Sequence, residues 1–405
     1  MDTGLRNYLI VTGGYWAFTL TDGAIRMLVV LYFHLLGYSP FEVAMLFLFY
    51  EFFGIVTNLV GGWLGARIGL NLTMQIGMAM QVVALAMLTV PDAWLSVAYV
   101  MVAQALSGIA KDLNKMSAKA SIKTLLPEQG SDSTLFKWIA LLTGSKNALK
   151  GVGFFLGGAL LQTVGFRGAL VVLSVALLMV LLLTMVLLPK QLGVAKGKPK
   201  FTQVFSKSPA INWLSAARFF LFGSRDVWFV VGLPVFLYSV LGWSFTQVGG
   251  FLALWIIGYG VVQASAPKLV RRSHHGTGPD GATVQFWAFV LMLFPAAIAL
   301  ALQQGVDPAL AIVTGLIAFG VVFAVNSAVH SYLVVAWSDR DKVSMNVGFY
   351  YMANAGGRLT GTVLSGWVYQ TQGLTGCLWW SSGFVLLSAL LAMKLPRTSS
   401  MEVAT

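Results

Sequence analysis

The sequence predicts an all-α integral membrane protein of twelve transmembrane helices, built as two parallel six-helix repeats. Three observations carry this. Of 405 residues, 58% are hydrophobic and only 10% charged, where an average soluble domain carries about 25% charged residues; mean hydropathy is +0.80. Twelve stretches each hold the roughly 20 apolar residues that a bilayer-crossing helix needs. The two halves of the chain also repeat each other's glycine and polar punctuation at a fixed offset.

The expected spans are residues 8–36, 42–66, 71–90, 94–125, 135–163, 166–189, 209–240, 246–270, 282–303, 307–336, 343–370 and 373–395. Breaks fall at Gly37-Tyr38-Ser39-Pro40, Pro91-Asp92, Pro127, Gly165, Pro189, Gly242, the 271–281 loop, Asp307-Pro308, Ser338-Asp339 and Gly373, where turn-forming residues interrupt the apolar runs. One set of loops and loop ends carries Arg67, Lys123, Lys137, Lys190, Lys196, Lys198, Lys200, Lys207, Lys268, Arg271, Arg272, Arg340 and Lys342, whereas the opposite set carries only Arg167. The positive-inside rule then puts both termini in the cytoplasm. No cleavable signal peptide is expected, because the first apolar run is too long for an h-region.

The repeat is read from two places. Leu36-Gly37-Tyr38-Ser39 aligns with Leu241-Gly242-Trp243-Ser244 at an offset of 205. Gly157-Gly158, Gln162, Gly165 and Gly168 align with Ser365-Gly366, Gln370, Gly373 and Gly376 at an offset of 208. Residues 1–189 form a first six-helix half, 190–208 a basic cytoplasmic linker, and 209–405 a second half.

Composition excludes several functions. The net charge of +12 lies in no soluble domain, so it does not indicate nucleic acid. A single cysteine, Cys377, excludes an intrachain disulfide framework, and His34, His274, His275 and His330 are too scattered for a zinc motif. No metal or cofactor is expected. No nucleophile–base pair stands out, so the protein is read as no enzyme.

Charge inside the spans carries the function. Span 1 holds Asp22 and Arg26, span 2 Glu51, span 4 Lys111, Asp112 and Lys115, span 5 Lys146 and Lys150, span 7 Arg218, Arg225 and Asp226, and span 11 Arg358. That is eight cations against four carboxylates. Each charge at the bilayer centre costs at least ~2.5–3.5 kcal/mol, so such residues face partners or a wet cavity. Asp22 with Arg26, and Asp112 with Lys115, have spacings that allow pairing along one helix. Glu51 and Asp226 can cover two more cations, which leaves four without a protein acid. An excess of intramembrane cations calls for an anion with more than one negative charge; Arg grips phosphate or carboxylate with two hydrogen bonds, and Lys acts as a movable point charge. Lys150 and Arg358 are repeat mates at offset 208, which makes them the leading pair. Asn147 and Asn354, with Asn326, Gln104 and Tyr351, can orient a ligand or bond between helices. Asp22, Glu51, Asp112 and Asp226 are the candidates for carrying a coupled proton.

Lys111, Lys115, Lys119 and Lys123 recur every fourth residue. Four residues turn a helix by about 400°, so the stripe keeps to one side and drifts ~40° per step. Lys119 and Lys123 are read as mouth residues or as anchors that snorkel to the interface. The aromatic residues are expected mostly at lipid-facing and interfacial positions.

Twelve spans in two parallel halves resemble the major facilitator superfamily. Gly62-Trp63-Leu64-Gly65-Ala66-Arg67-Ile68-Gly69 resembles that superfamily's cytoplasmic gate signature through Gly65, Arg67 and Gly69, with Ala66 where an aspartate is usual. Gly144, Gly153 and Gly157 resemble the opening of a glycine motif of antiporter members, or serve close helix packing. A narrower resemblance rests on the runs Thr21-Asp22-Gly23-Ala24-Ile25-Arg26, Ala110-Lys111-Asp112-Leu113-Asn114-Lys115-Met116 and Gly144-Ser145-Lys146-Asn147-Ala148-Leu149-Lys150-Gly151, with Arg6 to Trp16 before them. These look like the bacterial organoarsenical efflux permeases of the ArsJ family. That resemblance implies export of 1-arseno-3-phosphoglycerate from a bacterial cell across its inner membrane, the substrate being made by a companion glyceraldehyde-3-phosphate dehydrogenase. Alternating access between the halves, with proton antiport through one of the intramembrane carboxylates, is the expected mechanism. The residues alone specify only a polyanion. An organophosphate or organic-anion exchanger, an uptake transporter, and a sensor on a transporter fold stay open on the residues alone.

Overall fold

The computed structural model describes residues 3–37, 46–125, 132–189, 192, 194, 200–205, 208–243, 245–270 and 278–397. The expected turn at Tyr38-Ser39-Pro40, the 271–277 loop and most of the 190–208 linker lie outside the described residues. The Lys123 side chain does too.

Among the described residues the twelve expected spans fall on eleven helices: α1 (Thr3–Leu35), α2 (Leu48–Ile68), α3 (Leu70–Met87), α4 (Val97–Leu125), α5 (Asp132–Leu187), α6 (Pro209–Phe229), α7 (Gly232–Ser239), α8 (Phe245–Val270), α9 (Gly281–Gln303), α10 (Pro308–Ala336) and α11 (Val343–Ala392). Helices satisfy every backbone polar group internally, which lipid demands. α5 and α11 each run through two expected spans. They bend at Gly165 (φ 72°) and Gly373 (φ 66°), left-handed conformations that glycine adopts without a Cβ penalty. These two glycines are repeat mates, and so are Gly37 (φ 89°) and Gly242 (φ 68°). The repeat read from sequence is therefore present in backbone geometry.

Span 7 differs from the expectation of one helix over 209–240. It is interrupted at Val230–Val231 and continues as α7. The Ser365 hydroxyl accepts the backbone N–H groups of Val231 (3.2 Å) and Gly232 (3.1 Å). This recovers the hydrogen bonds that a broken membrane helix loses. Other ends follow local chemistry. Asp307 accepts the Leu310 N–H at 2.8 Å, with Pro308 at the first helical position of α10. Asp280 and Thr283 form a reciprocal capping box on α9.

Among the described residues, seven helical stretches are long and apolar enough to cross a bilayer. α1, α2 and α4 are not among them, and they carry Asp22, Arg26, Glu51 and the lysine stripe. Val186, Leu254, Leu293 and Val363 are exposed, as residues facing lipid tails would be.

Packing divides the chain into two compact units. The first comprises Met1–Gly130, Ser145–Phe205 and Ser338–Met352, and the second Ser131–Gly144, Ser206–Trp337 and Ala353–Thr405. Each unit includes one helix end from the other sequence half, and those two ends (131–144 and 338–352) are themselves repeat mates. The second unit's core is aromatic: Trp228, Trp255, Phe319 and Phe323 are buried together. Tyr8, Phe18, Phe33, Tyr50 and Tyr350 are fully buried as well. These rings fill the space between helices, so part of the aromatic content lies away from the lipid-facing and interfacial positions expected of most of it.

Candidate functional site

In the first unit, α1, α2, α4 and α5 bring one charged cluster together. Asp22 is 3% exposed. It accepts the Tyr50 hydroxyl at 2.6 Å and lies 3.6 Å from the Lys150 ammonium. Arg26 donates to Glu51 at 2.9 Å. The expected Asp22–Arg26 pair along α1 is thus corrected: α5 supplies the partner of Asp22, and α2 that of Arg26. Asp112 holds two lysines, Lys115 at 2.6 Å and Lys111 at 3.8 Å, so the predicted Asp112–Lys115 pair forms. Lys146 donates to the Asn147 side-chain oxygen at 3.2 Å.

This arrangement depends on close approach of α1 and α5. A Cβ at Gly153 would meet the Leu20 carbonyl and Gly23, and one at Gly157 would meet Ala24. Gly144 instead packs against Gly260 and Ala264 of α8, inside the second unit. The three glycines therefore serve helix packing in two different units.

In the second unit, α6, α10 and α11 build the counterpart. Asp226, 1% exposed, accepts Arg225 Nε at 2.6 Å and Arg358 Nε at 3.1 Å. Arg218 is buried and donates to the Asn354 oxygen (2.8 Å) and the Ser327 hydroxyl (3.0 Å). Gln263 donates to that same hydroxyl at 3.2 Å. Asn326 and His330 are buried nearby on α10, with side-chain nitrogen and oxygen atoms that find no hydrogen-bond partner among the described residues.

The repeat thus reaches the ion pairs. Lys150 binds Asp22, and its mate Arg358 binds Asp226, which stands 204 residues after Asp22, one short of the 205 offset. At least six of the eight cations lie within 3.8 Å of a carboxylate. The expectation of four cations without a protein acid is corrected, because Asp112 and Asp226 each serve two. The count of eight cations against four carboxylates stands.

Three rings also belong to the site. Tyr50 lies under Arg26 (4.4 Å to the ring centroid) and Lys111 (3.8 Å). Phe222 lies under Arg218 (3.9 Å) and Arg225 (4.9 Å). Tyr351 lies under Lys115 (4.3 Å) and Lys119 (5.3 Å). Lys119, read as a snorkelling or mouth residue, is 2% exposed; the start of α11 covers it. The sequence reading missed Tyr50 and Phe222. Phe222 is four residues after Arg218 and three before Arg225, a spacing that puts the ring between them on one helix face. Tyr50 meets cations from other helices, and no spacing marks it.

The gate-signature residues end α2. Gly69 has φ 103° and ψ 152°, a conformation open to glycine because it lacks a Cβ, and its N–H makes the last helical bond to the Gly65 carbonyl. The Arg67 guanidinium stacks 5.1 Å from the Trp63 ring centroid. Ala66, where the related signature has an acid, is buried with Met345. Ser344 donates to the Gly62 carbonyl at 2.8 Å, and Gly348 packs against Gly62. All of these residues lie in the first unit.

Apolar helices, an internal six-span repeat and charged side chains buried among those helices define a polytopic transport protein. The sequence profile of the Major Facilitator Superfamily matches residues 11–334, and the chain belongs to that family. It is a secondary transporter and not an enzyme. The fold is similar to that of a bacterial homologue of the iron transporter ferroportin in an outward-facing state, with a TM-score of 0.74 at 14% identity over 96% of this chain and 99% of that one. The human organic anion transporter MFSD10 (TETRAN) gives 0.75 at 17% identity, over 97% and 100% of the two chains. The Escherichia coli fucose:proton symporter gives 0.72 at 11% identity, over 97% and 99%. No curated protein sequence matches the chain.

Proposed function

We propose that this transporter exports a small organic polyanion, 1-arseno-3-phosphoglycerate, across a bacterial inner membrane by alternating access. One observation carries the anionic part: eight cations and four carboxylates are built into the spans, and Asp112 and Asp226 are each shared by two cations. A shared carboxylate leaves net positive charge, which a multiply charged anion offsets. Arg218, Arg225 and Arg358 offer paired hydrogen bonds to an oxyanion, and Arg26, Lys111, Lys115, Lys146 and Lys150 offer charge. Asn147 and Asn354, already bonded to Lys146 and Arg218, orient their cations.

The arsenical comes from the resemblance to the organoarsenical permeases and not from the cation count. In that reading a companion glyceraldehyde-3-phosphate dehydrogenase makes the substrate inside the cell, and the termini are cytoplasmic. The halves 1–189 and 209–405, joined by linker 190–208, rock past each other, with Gly65, Arg67 and Gly69 at the cytoplasmic gate. Asp22, Glu51, Asp112 or Asp226 takes up a proton as the anion leaves.

The test is arsenate resistance in an arsenic-sensitive bacterium that expresses the chain with and without the dehydrogenase. Resistance is expected only with both. Resistance without the dehydrogenase sinks the proposed substrate. The same charge clusters would serve an organophosphate exchanger or uptake carrier; accumulation of labelled 3-phosphoglycerate by intact cells would favour that second reading.

A further inference from the structure

The charged clusters share a construction that ion pairing does not explain. Three aromatic rings each lie under two cations: Tyr50 under Arg26 and Lys111, Tyr351 under Lys115 and Lys119, and Phe222 under Arg218 and Arg225. Centroid distances run from 3.8 to 5.3 Å, inside the ~6 Å range of cation–π attraction. The rings are buried, at 0%, 4% and 8% exposure for Tyr50, Tyr351 and Phe222. They come from spans 2, 11 and 7, so the repeat does not force the pattern, and it occurs in both units.

A ring face attracts a cation through its quadrupole and carries no net charge. A carboxylate in that place would cancel the cation and compete with an incoming anion. A ring lets two like charges stand close together in a dry site while both formal charges persist. We propose that Tyr50 and Tyr351 in the first unit, and Phe222 in the second, are positioning residues, each holding two cations of its own unit as a pair for an oxyanion to bridge. This rests on the anion-carrier reading above.

The experiment replaces Phe222, and separately Tyr50, with phenylalanines of rising fluorination, which keeps ring shape while draining the π face. Binding of inorganic phosphate and of 3-phosphoglycerate to the purified full chain is measured by calorimetry. Affinity is expected to fall stepwise with fluorine number, by about tenfold in total. Tyr50→Phe keeps the ring and loses the hydroxyl bond to Asp22, so its affinity is expected to fall less than that of Tyr50→Leu, which loses both. A flat fluorination series with intact native binding overturns the proposal. So does a Tyr50→Phe loss equal to that of Tyr50→Leu, because the Asp22 hydrogen bond would then be the active feature. A native chain that binds neither anion overturns the anion-carrier reading, and this proposal with it.

Discussion

Lys150 and Arg358 occupy matching positions in the two repeats, yet their removal has different consequences. Asp22 depends on Lys150 for its near cation and otherwise keeps the Tyr50 hydroxyl. Asp226 keeps Arg225 when Arg358 is lost. Breaking a buried pair leaves an uncompensated charge and costs on the order of 3 kcal/mol or more. Lys150→Ala is therefore expected to lower the thermal midpoint in detergent clearly more than Arg358→Ala does. Adding Asp22→Asn to Lys150→Ala should recover the midpoint without restoring phosphate binding. A double variant that binds phosphate like the native chain would make Lys150 purely structural. Ala66 teaches a related lesson: Met345 packs where related gate signatures hold an acid, so an apolar contact takes the place of a charge latch. Ala66→Asp is expected to destabilise the first unit, read as a lower thermal midpoint, because the carboxylate would be buried beside methionine.

Helix packing sets the scale above. Gly157 and Gly158 are neighbours on α5 with opposite surroundings. A Cβ at Gly157 would meet the backbone of Ala24, whereas one at Gly158 has nothing within 4 Å. Gly157→Ala is expected to cost about 1–3 kcal/mol by forcing α1 and α5 apart, and Gly158→Ala to be neutral or slightly stabilising. Equal thermal midpoints for the two variants would show that α1 and α5 do not rely on this contact. Elements of this kind were legible in the sequence: Gly165, Gly373 and Asp307-Pro308 act on their own backbone, so composition alone places the breaks. Ion-pair partners were legible only within a helix. Asp112–Lys115 follows from a spacing of three. Asp22–Lys150 and Arg26–Glu51 join different helices, and side-chain reach across a helix interface leaves no spacing signal. The break at Val230–Val231 was hidden for the same reason, since Ser365 on α11 makes it tolerable.

At the scale of the whole molecule, the proposed export mechanism has the end of α2 part from the start of α11. A Cβ at Gly65 would stand 2.8 Å from the Ser344 hydroxyl oxygen, within reach of an S–S bond of about 2.05 Å. Gly65→Cys with Ser344→Cys is expected to cross-link under oxidation and to stop efflux, with recovery on reduction. Efflux that continues in fully cross-linked protein would place the moving contact elsewhere. If protons drive export, collapse of the proton gradient abolishes it; unchanged efflux after an uncoupler removes Asp22, Glu51, Asp112 and Asp226 from that role.

The exchange of helix ends between the two units bears on ancestry. Residues 131–144 pack with the second unit and 338–352 with the first. A six-span ancestor, before duplication joined two copies, would have lacked a complete unit by itself. Two copies would each have lent a helix end to the other, in the manner of a swapped homodimer. Fusion of two such genes would make that reciprocal loan permanent within one chain. Separately expressed halves of the present protein would be expected to regain both units only when made together.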